Sequence, residues 1–433
     1  MTQSVRGLLL LLALTQVVLQ VRGLGPENGR IGLDFYQYWV VGKVVSLSDG
    51  AVRNPYTQQP LFSKMATEHA QGTSEPALGA VASLRPDLEL QATPFAYTFF
   101  SIYPGHYTAS LRLHQIAQIC AFVLAIFLLL RNEAALDRLL VACVAMPVFG
   151  PLASDLSVAN FNCFLLLFLA LTFRLAQVAL AREGTSSGGK LVFAAGALTL
   201  AAAAALLKPS LMFVAPLLAL AIYLRMRTVG LGAIAMGGVG SVALAALPVW
   251  YFDSVEIWLQ WKHYFDNGNV DMYSLPFAMG NLSLPGFIAR TTGLPLVVSA
   301  LVLVAGLLVA GLCAVQVTHG NGPSRLHGLL LEPASVVSVA VLLFFAISPL
   351  AWLHYHLLLL VPALLLAGDG SRAGMGAMAV VLLLSTNVLS MTMGLFVPAQ
   401  PAQTAGFYGT MLAWPLLWFL MLFAWPKREA QAT

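Results

Sequence analysis

Long apolar runs recur along the whole sequence, and they constrain its fold more than any other feature. A helix needs about 20 apolar residues to cross the hydrocarbon core of a bilayer. Runs of this kind predict about twelve membrane-spanning helices. We therefore expect an all-α polytopic membrane protein with a single integral membrane domain over residues 1–433. The predicted spans are 7–24, 107–130, 139–153, 161–181, 191–207, 209–224, 229–250, 295–317, 334–351, 353–369, 374–396 and 407–425.

The charge content supports this class. Charged residues make up only 9% of the chain and hydrophobic residues 59%, whereas a soluble domain carries about 25% charged residues. The net charge of +4 comes from basic residues that do not cluster on one stretch, so we expect no nucleic-acid partner. The four cysteines lie in or beside apolar runs without C-x-x-C spacing, which favours packing over a disulfide or a zinc site.

Basic residues mark one side of the predicted helices. With the N-terminus in the cytoplasm beside Arg6, every predicted cytoplasmic loop is short and contains Lys or Arg, as the positive-inside rule requires. The first apolar segment resembles a signal peptide but lacks an A-x-A cleavage site, and we expect a retained helix. Both termini are then cytoplasmic. The loop residues are Arg131, Arg138, Arg182, Lys190, Arg225, Arg227, Arg325, Arg372, Lys427 and Arg428.

Two long loops face the opposite side, 25–105 and 251–293. In the first, apolar and aromatic residues at helical spacing over 34–47 predict a helix that lies flat at the membrane interface. The stretch 71–90 is polar and has no clear period, so we expect it to be irregular and mobile.

Polar residues that are unusual in apolar surroundings map to this outer side. Such groups are costly at membrane depth and usually face a protein interior or an aqueous cavity. Their convergence predicts one cavity that opens outward. The residues are Asp34, Asp155, Asn160, Asn162, Lys208, Asn281, His354 and His356.

Several of these residues allow two interpretations. Lys208 is either a lysine that extends to the interface or a ligand for a phosphate or carboxylate. Asn160 and Asn162 either cap a helix or direct amides into the cavity. Asn281 begins an N-x-S sequon, which we interpret as a loop-to-helix turn. His354 and His356 are two residues apart and do not share a helix face, so paired metal ligation is not expected.

These motifs, in this order, resemble glycosyltransferase family 87. The stretch 32–43 is similar to the "DF..YW.AG" opening of that family's first outer loop. The further matches, to motifs of the "YDP", "PP", "GQ.N", "KP", "NQS" and "SP.SW.HH" types, are Asn54-Pro55-Tyr56, Thr93-Pro94-Phe95-Ala96, Asn160-Phe161-Asn162, Lys208-Pro209, Asn281-Leu282-Ser283 and Ser348-Pro349 with Trp352-Leu353-His354-Tyr355. Tyr355 replaces the second histidine of the last motif, which leaves open whether His354 or His356 acts.

The resemblance implies a GT-C-type fold and an inverting sugar transfer among membrane lipids. The donor would be a polyprenyl-phosphate-linked sugar, with mannose or arabinofuranose favoured, and the acceptor a hydroxyl of a glycolipid or glycan. The reaction would take place at the periplasmic face of the plasma (inner) membrane. It would need no metal ion or other cofactor.

The residues fit that chemistry. Asp34 is the only acid of its motif and is expected to act as general base. Partial desolvation among Tyr36, Tyr38 and Trp39 would raise its pKa. Lys208 is a cation for the leaving phosphate.

The remaining site residues follow from the same scheme. His354 is expected to assist Lys208 at the phosphate, and inversion requires both to lie across the cavity from Asp34. The residues expected to bind substrate are Lys208, His356, Tyr355, Trp352, Asn162, Asn160, Asn281, Tyr36 and Trp39.

Two other classes remain open. A secondary transporter would also have about twelve helices and a polar cavity, but its site lies near the midplane between repeats, and no repeat is evident. A lipid-linked glycan polymerase or ligase would use clustered outer-loop arginines. Here Arg53, Arg85, Arg112 and Arg290 are scattered.

Overall fold

The computed structural model describes residues 3–103, 105–130, 143, 149–181, 186–267, 281–318, 331–367, 376–378, 380, 381, 384 and 399–424. In these ranges the regular elements are helices, as predicted. Those of the first outer loop are Leu33–Leu47, Gln59–Gly72, Pro76–Leu84 and Pro94–Phe100. The others are Gln3–Arg22, Tyr107–Leu129, Gly150–Val158, Asn162–Leu180, Ser187–Leu207, Val214–Phe252, Ile257–Asn267, Leu284–Thr292, Leu296–Thr318, Pro333–Ile347, Leu360–Ala367 and Ala399–Ala424. Short 3-10 turns occur at Pro26–Asn28, Pro209–Leu211 and Leu353–Leu359.

The described helices confirm a membrane protein but not the predicted number of spans. Five are long and apolar enough to cross a bilayer, or up to six if a pair bent by 117° forms one span. Predicted spans 139–153 and 374–396 lie largely outside the described residues. The five are Val5–Arg22, Tyr107–Leu129, Asn162–Leu180, Ser187–Leu207 and Pro209–Phe252, and the bent pair is Leu284–Thr292 with Leu296–Val309.

The longest helix is broken near its middle. Val214–Phe252 contains 39 residues, which would extend about 58 Å at 1.5 Å per residue, well beyond a hydrocarbon core of about 30 Å. Arg227 interrupts it with φ 48° and ψ −112°. The interruption falls between the predicted spans 209–224 and 229–250, as the sequence pattern requires.

The first outer loop is more helical and more buried than expected. The helix Leu33–Leu47, called the Asp34 helix below, was predicted. It buries side chains on most of its sides, among them Phe35, Val40 and Val44. The stretch 71–90 contains the helix Pro76–Leu84 instead of an irregular segment.

Buried apolar contacts continue from Ala13 to Met421. Within this core the short helix Gly150–Val158 packs against both the Asp34 helix and the turn Leu353–Leu359. The same turn also contacts Asn162–Leu180. Three segments that are far apart in the sequence therefore meet at one place.

Candidate active site

The Asp34 carboxylate stands in the first turn of its helix. Gly32, two residues before Asp34, has φ 70° and ψ 52°. This left-handed conformation favours glycine. The Gly32 N–H donates to the Ser157 carbonyl at 3.1 Å, and its own carbonyl accepts from the Tyr107 hydroxyl at 3.1 Å. A Cβ at position 32 would approach Leu111 Cδ1 to 2.5 Å. The start of the helix is therefore fixed on both sides.

Asn160 holds the carboxylate. Its Nδ2 donates to Asp34 Oδ2 at 2.7 Å. Its backbone oxygen accepts from Gln118 Nε2 at 2.7 Å and from His114 Nε2 at 3.1 Å, and its Oδ1 accepts from the Phe161 N–H at 2.7 Å. These bonds fix the orientation of the amide. Burial raises the pKa of Asp34, and the bond from Asn160 opposes that shift.

The structure separates the two histidines. His354 Nε2 lies 3.9 Å from Asp34 Oδ2 and has no hydrogen-bond partner among the described residues. His356 is fully buried, its Nδ1 lies 3.3 Å from the Trp352 carbonyl, and its ring packs 5.0 Å from that of Phe345. His354 therefore lies beside the carboxylate and not across the cavity from it, as was expected, while His356 packs inside the turn.

Lys208 is buried and does not extend to the interface. Only 8% of the residue is exposed. Its Nζ donates to Asn162 Oδ1 at 3.2 Å and lies 2.8 Å from the centroid of the Tyr355 ring. The Phe344 ring centroid is 5.3 Å away. The ammonium thus sits in an aromatic and amide setting beside the His354 turn.

Asp155 was expected to lie near the cavity but was given no role in catalysis or substrate binding, and the structure places it at the centre of the cluster. It is fully buried. Its Oδ1 accepts from Asn162 Nδ2 at 2.8 Å, and its Oδ2 accepts from Gln118 Nε2 at 3.0 Å and from the Cys163 N–H at 3.2 Å. Both ends of the Asn162 amide are therefore occupied, one by Asp155 and the other by Lys208.

The side-chain amide of Asn281 is hydrogen-bonded to backbone groups and does not face Asp34. Its Oδ1 accepts from Ser283 N at 3.0 Å and from Ala351 N at 2.9 Å, and its Nδ2 donates to the Pro349 carbonyl at 3.0 Å. Ser283 caps the next helix by accepting from Gly286 N at 3.1 Å. The loop-to-helix turn expected here is present, and it fastens the segment that leads into the His354 turn.

The aromatic residue beside the carboxylate is Tyr38. Its hydroxyl lies 3.5 Å from Asn160 Nδ2. Residues four apart share a helix face, so Tyr38 lies on the face of Asp34. Tyr36 and Trp39 are buried against Tyr107 on other faces. Helical spacing would have favoured Tyr38 over those two.

The cluster combines a partly accessible carboxylate, an imidazole and an ammonium. The Asp34 side chain is 21% exposed. Trp352 is partly exposed and accepts from Tyr355 N at 2.9 Å through its carbonyl. Among the described residues no three His, Cys, Asp or Glu side chains are arranged to hold a metal ion. The groups present suit proton transfer and the binding of an anion.

Comparison with known proteins gives one match. The model of glycosyltransferase family 87 matches residues 93–349, which is more than half of the chain. No curated protein and no solved structure matches. The matched range includes Asn160, Asn162 and Lys208, and a transporter is not supported. The chain therefore belongs to glycosyltransferase family 87 and is a membrane glycosyltransferase.

Proposed function

We propose that the protein transfers a sugar, with inversion, from a polyprenyl-phosphate donor to a hydroxyl of a glycolipid or glycan. Mannose and arabinofuranose are the sugars to test first. The observation that carries the proposal is the placement of Asp34, His354 and Lys208 in one cluster built from distant segments. A glycosyl transfer needs both a base for the acceptor and a positive site for the leaving group.

Asp34 serves as the base. An acceptor hydroxyl is a weak nucleophile, and a carboxylate that removes its proton during attack accelerates the reaction. The Asn160 bond occupies Oδ2, which leaves Oδ1 for the acceptor. Burial raises the pKa of the carboxyl and makes it a stronger base than an exposed aspartate.

Lys208 and His354 stabilise the leaving phosphate. An ammonium has three N–H donors, and the described contacts of Lys208 use one of them on Asn162. His354 Nε2 is free of hydrogen bonds among the described residues. Charge-assisted bonds from these groups would strengthen as negative charge develops on the phosphate.

The sugar would lie beside Asp34 and His354 and not between them, because the 3.9 Å from His354 Nε2 to Asp34 Oδ2 leaves no room for a sugar ring. Tyr38 and the partly exposed Trp352 are placed to contact its apolar faces. We propose structural roles for Asn281, Tyr36 and Trp39, because their side chains are buried among other protein groups.

We also propose that the reaction takes place at the outer face of the plasma membrane, with both termini in the cytoplasm. The distribution of basic loop residues supports this orientation. The chain would act as one integral membrane domain.

The test is transfer by purified protein in detergent. Polyprenyl-phosphate-mannose and polyprenyl-phosphate-arabinofuranose are supplied with a glycolipid acceptor, and products are identified by mass spectrometry. Asp34→Asn should lower the rate about 100-fold or more. Asp49→Asn is the control, since Asp49 is exposed and its φ of 46° suits asparagine. Near-normal transfer by Asp34→Asn would exclude the base role, and lack of product from both donors would exclude these sugars.

A further inference from the structure

We propose that Asp155 is a positioning residue that orients Asn162 and, through it, the Lys208 ammonium. The inference rests on the proposed role of Lys208 at the donor phosphate. Asp155 lies in the short helix Gly150–Val158, and the described hydrogen bonds of its carboxylate go to Asn162, Gln118 and Cys163, not to Asp34, His354 or Lys208. Its effect on the reaction would therefore be indirect.

A chain of hydrogen bonds connects the base with the cation, and Asp155 is at its centre. Towards Asp34, Gln118 Nε2 donates both to Asp155 Oδ2 at 3.0 Å and to the Asn160 carbonyl at 2.7 Å. The Asn160 amide then donates to Asp34. Asp155 is therefore connected to the proposed base, Asp34, through Gln118 and Asn160.

Towards Lys208, the chain passes through Asn162. Its Nδ2 donates to Asp155 Oδ1 at 2.8 Å, and its Oδ1 accepts from Lys208 Nζ at 3.2 Å. An amide has a donor end and an acceptor end. Because Asp155 accepts, it selects the orientation in which the oxygen of Asn162 meets the ammonium.

The contacts of Asp155 suit an ionised carboxylate. The groups that the structure shows bonded to its oxygens all donate, namely Asn162 Nδ2, Gln118 Nε2 and the Cys163 N–H. A buried carboxylate needs such donors and a nearby opposite charge. Lys208 supplies that charge one amide away.

This spacing has a chemical advantage for a phosphate site. A carboxylate bonded directly to Lys208 would neutralise it and compete with the phosphate for its N–H groups. Asp155 instead balances the buried charge from a distance, and the Asn162 oxygen takes a single donor of the ammonium. The other donors stay available for an anion.

Asp155→Asn would upset the polarity of this chain. An amide at position 155 must point its NH₂ group at one of the present donors. If Asn162 turns over to accept from it, the NH₂ group of Asn162 then faces Lys208, which is also a donor. If the NH₂ group instead points at Gln118 Nε2 and the Cys163 N–H, the bond from Asn162 is kept, but the negative charge that balances the ammonium is lost. We expect the affinity for a phosphate ligand to fall about tenfold or more.

The experiment measures binding of a polyprenyl monophosphate without sugar, from the thermal stabilisation that it gives the full-length protein in detergent. The variants are Lys208→Ala, Asp155→Asn and Asp34→Asn, with kcat and donor KM measured in parallel. Lys208→Ala and Asp155→Asn should both bind weakly and raise donor KM. Asp34→Asn should bind no more weakly than the wild type, because it removes a negative charge near the phosphate site.

Gln115→Leu is the matched control. Gln115 is also fully buried and bonds the Gly25 N–H and the Leu156 carbonyl, each at 2.9 Å, without a described contact to Asp155 or Lys208. It should lower Tm and leave phosphate binding unchanged. If Asp155→Asn weakened binding only through a general loss of stability, Gln115→Leu would weaken binding as well.

The outcomes separate the two proposals. Normal binding by Asp155→Asn beside weak binding by Lys208→Ala would overturn the positioning role alone. Normal binding by Lys208→Ala would overturn the proposed phosphate site itself.

A double variant covers the case in which Asp155→Asn does not fold. Asp155→Asn combined with Asn162→Asp restores a donor and acceptor at every contact, but it places a carboxylate directly on Lys208. We expect this variant to regain Tm while phosphate binding stays weak. Wild-type binding by the double variant would contradict the claim that a carboxylate bonded directly to Lys208 competes with the phosphate.

Discussion

Asn160 donates a hydrogen bond to Asp34 across a separation of 126 residues, with Nδ2 2.7 Å from Oδ2. The bond joins the Asp34 helix to the start of the helix Asn162–Leu180. Since Gln118 holds the Asn160 carbonyl, the amide cannot turn freely. The relationship therefore fixes both the position and the proton affinity of the proposed base.

The first prediction concerns the pH dependence of transfer. Burial raises the pKa of Asp34, and Asn160 opposes the shift by stabilising the ionised form. Asn160→Ala should raise that pKa further, because it removes a hydrogen bond that stabilises the ionised carboxylate. Only the ionised form accepts a proton, so activity should be lost at a higher pH on acidification. The profile of kcat/KM against pH measures this.

Other groups near Asp34 are retained in that variant. Arg85 and Lys208 lower its pKa by their positive charge, and Asp155 raises it. Asn28→Ala is the control, because among the described residues the side chain of Asn28 donates to the carbonyls of Arg22 and Leu24 and not to Asp34. An acidic limb that does not move in Asn160→Ala would contradict the argument.

The second prediction concerns the ring under Lys208. The ammonium lies 2.8 Å from the centroid of Tyr355, and a desolvated cation–π contact contributes about 2 kcal/mol. Tyr355→Leu should therefore raise donor KM by about 10-fold or more. Tyr355→Phe keeps the ring and should stay near the wild-type value. Equal losses in both variants would assign the effect to the hydroxyl and not to the ring.

The third prediction separates the two histidines. His354 faces Asp34, whereas His356 packs on Phe345. His354→Ala should lower transfer by about 100-fold with little change in Tm. His356→Ala should mainly lower Tm, because it leaves a cavity and removes the contact with the Trp352 carbonyl. Transfer rates are compared per amount of folded protein. If His356→Ala lost transfer and His354→Ala mainly lowered Tm, His356 would be the active histidine.

Part of this site could be foreseen from the sequence. Asp34, Asn162, Lys208 and His354 each interrupt or end an apolar run on the predicted outer side, and the structure brings them into one cluster. Polar groups at membrane depth usually face the protein interior or an aqueous cavity. Topology alone was enough to predict that they meet.

The remainder depends on which side chains oppose each other. Asp155 was expected near the cavity, but only the structure shows Gln118, 37 residues away, bonded to it. The helix over 76–84 was missed because nine residues are too few to show a clear apolar period. In the structure, Leu78 and Val81 are buried at helical spacing.

The last prediction concerns the glycine that starts the Asp34 helix. Gly29 and Gly32 both have left-handed φ, 76° and 70°. A Cβ at position 29 meets nothing within 4 Å, whereas one at position 32 would lie 2.5 Å from Leu111 Cδ1 and 3.1 Å from the Tyr107 hydroxyl. Alanine at either position has the same backbone strain, about 1–2 kcal/mol. The difference between the variants isolates the steric contact.

Gly32→Ala should therefore lower both Tm and the transfer rate, because relief of the contact displaces the turn that carries Asp34. Gly29→Ala should lower Tm by the smaller amount due to strain and leave the transfer rate per folded protein unchanged. Thermal unfolding in detergent and initial rates at saturating donor measure the two effects. Equal rates in both variants would mean that the Asp34 turn tolerates displacement, and the exact seating of this helix would then not limit the reaction.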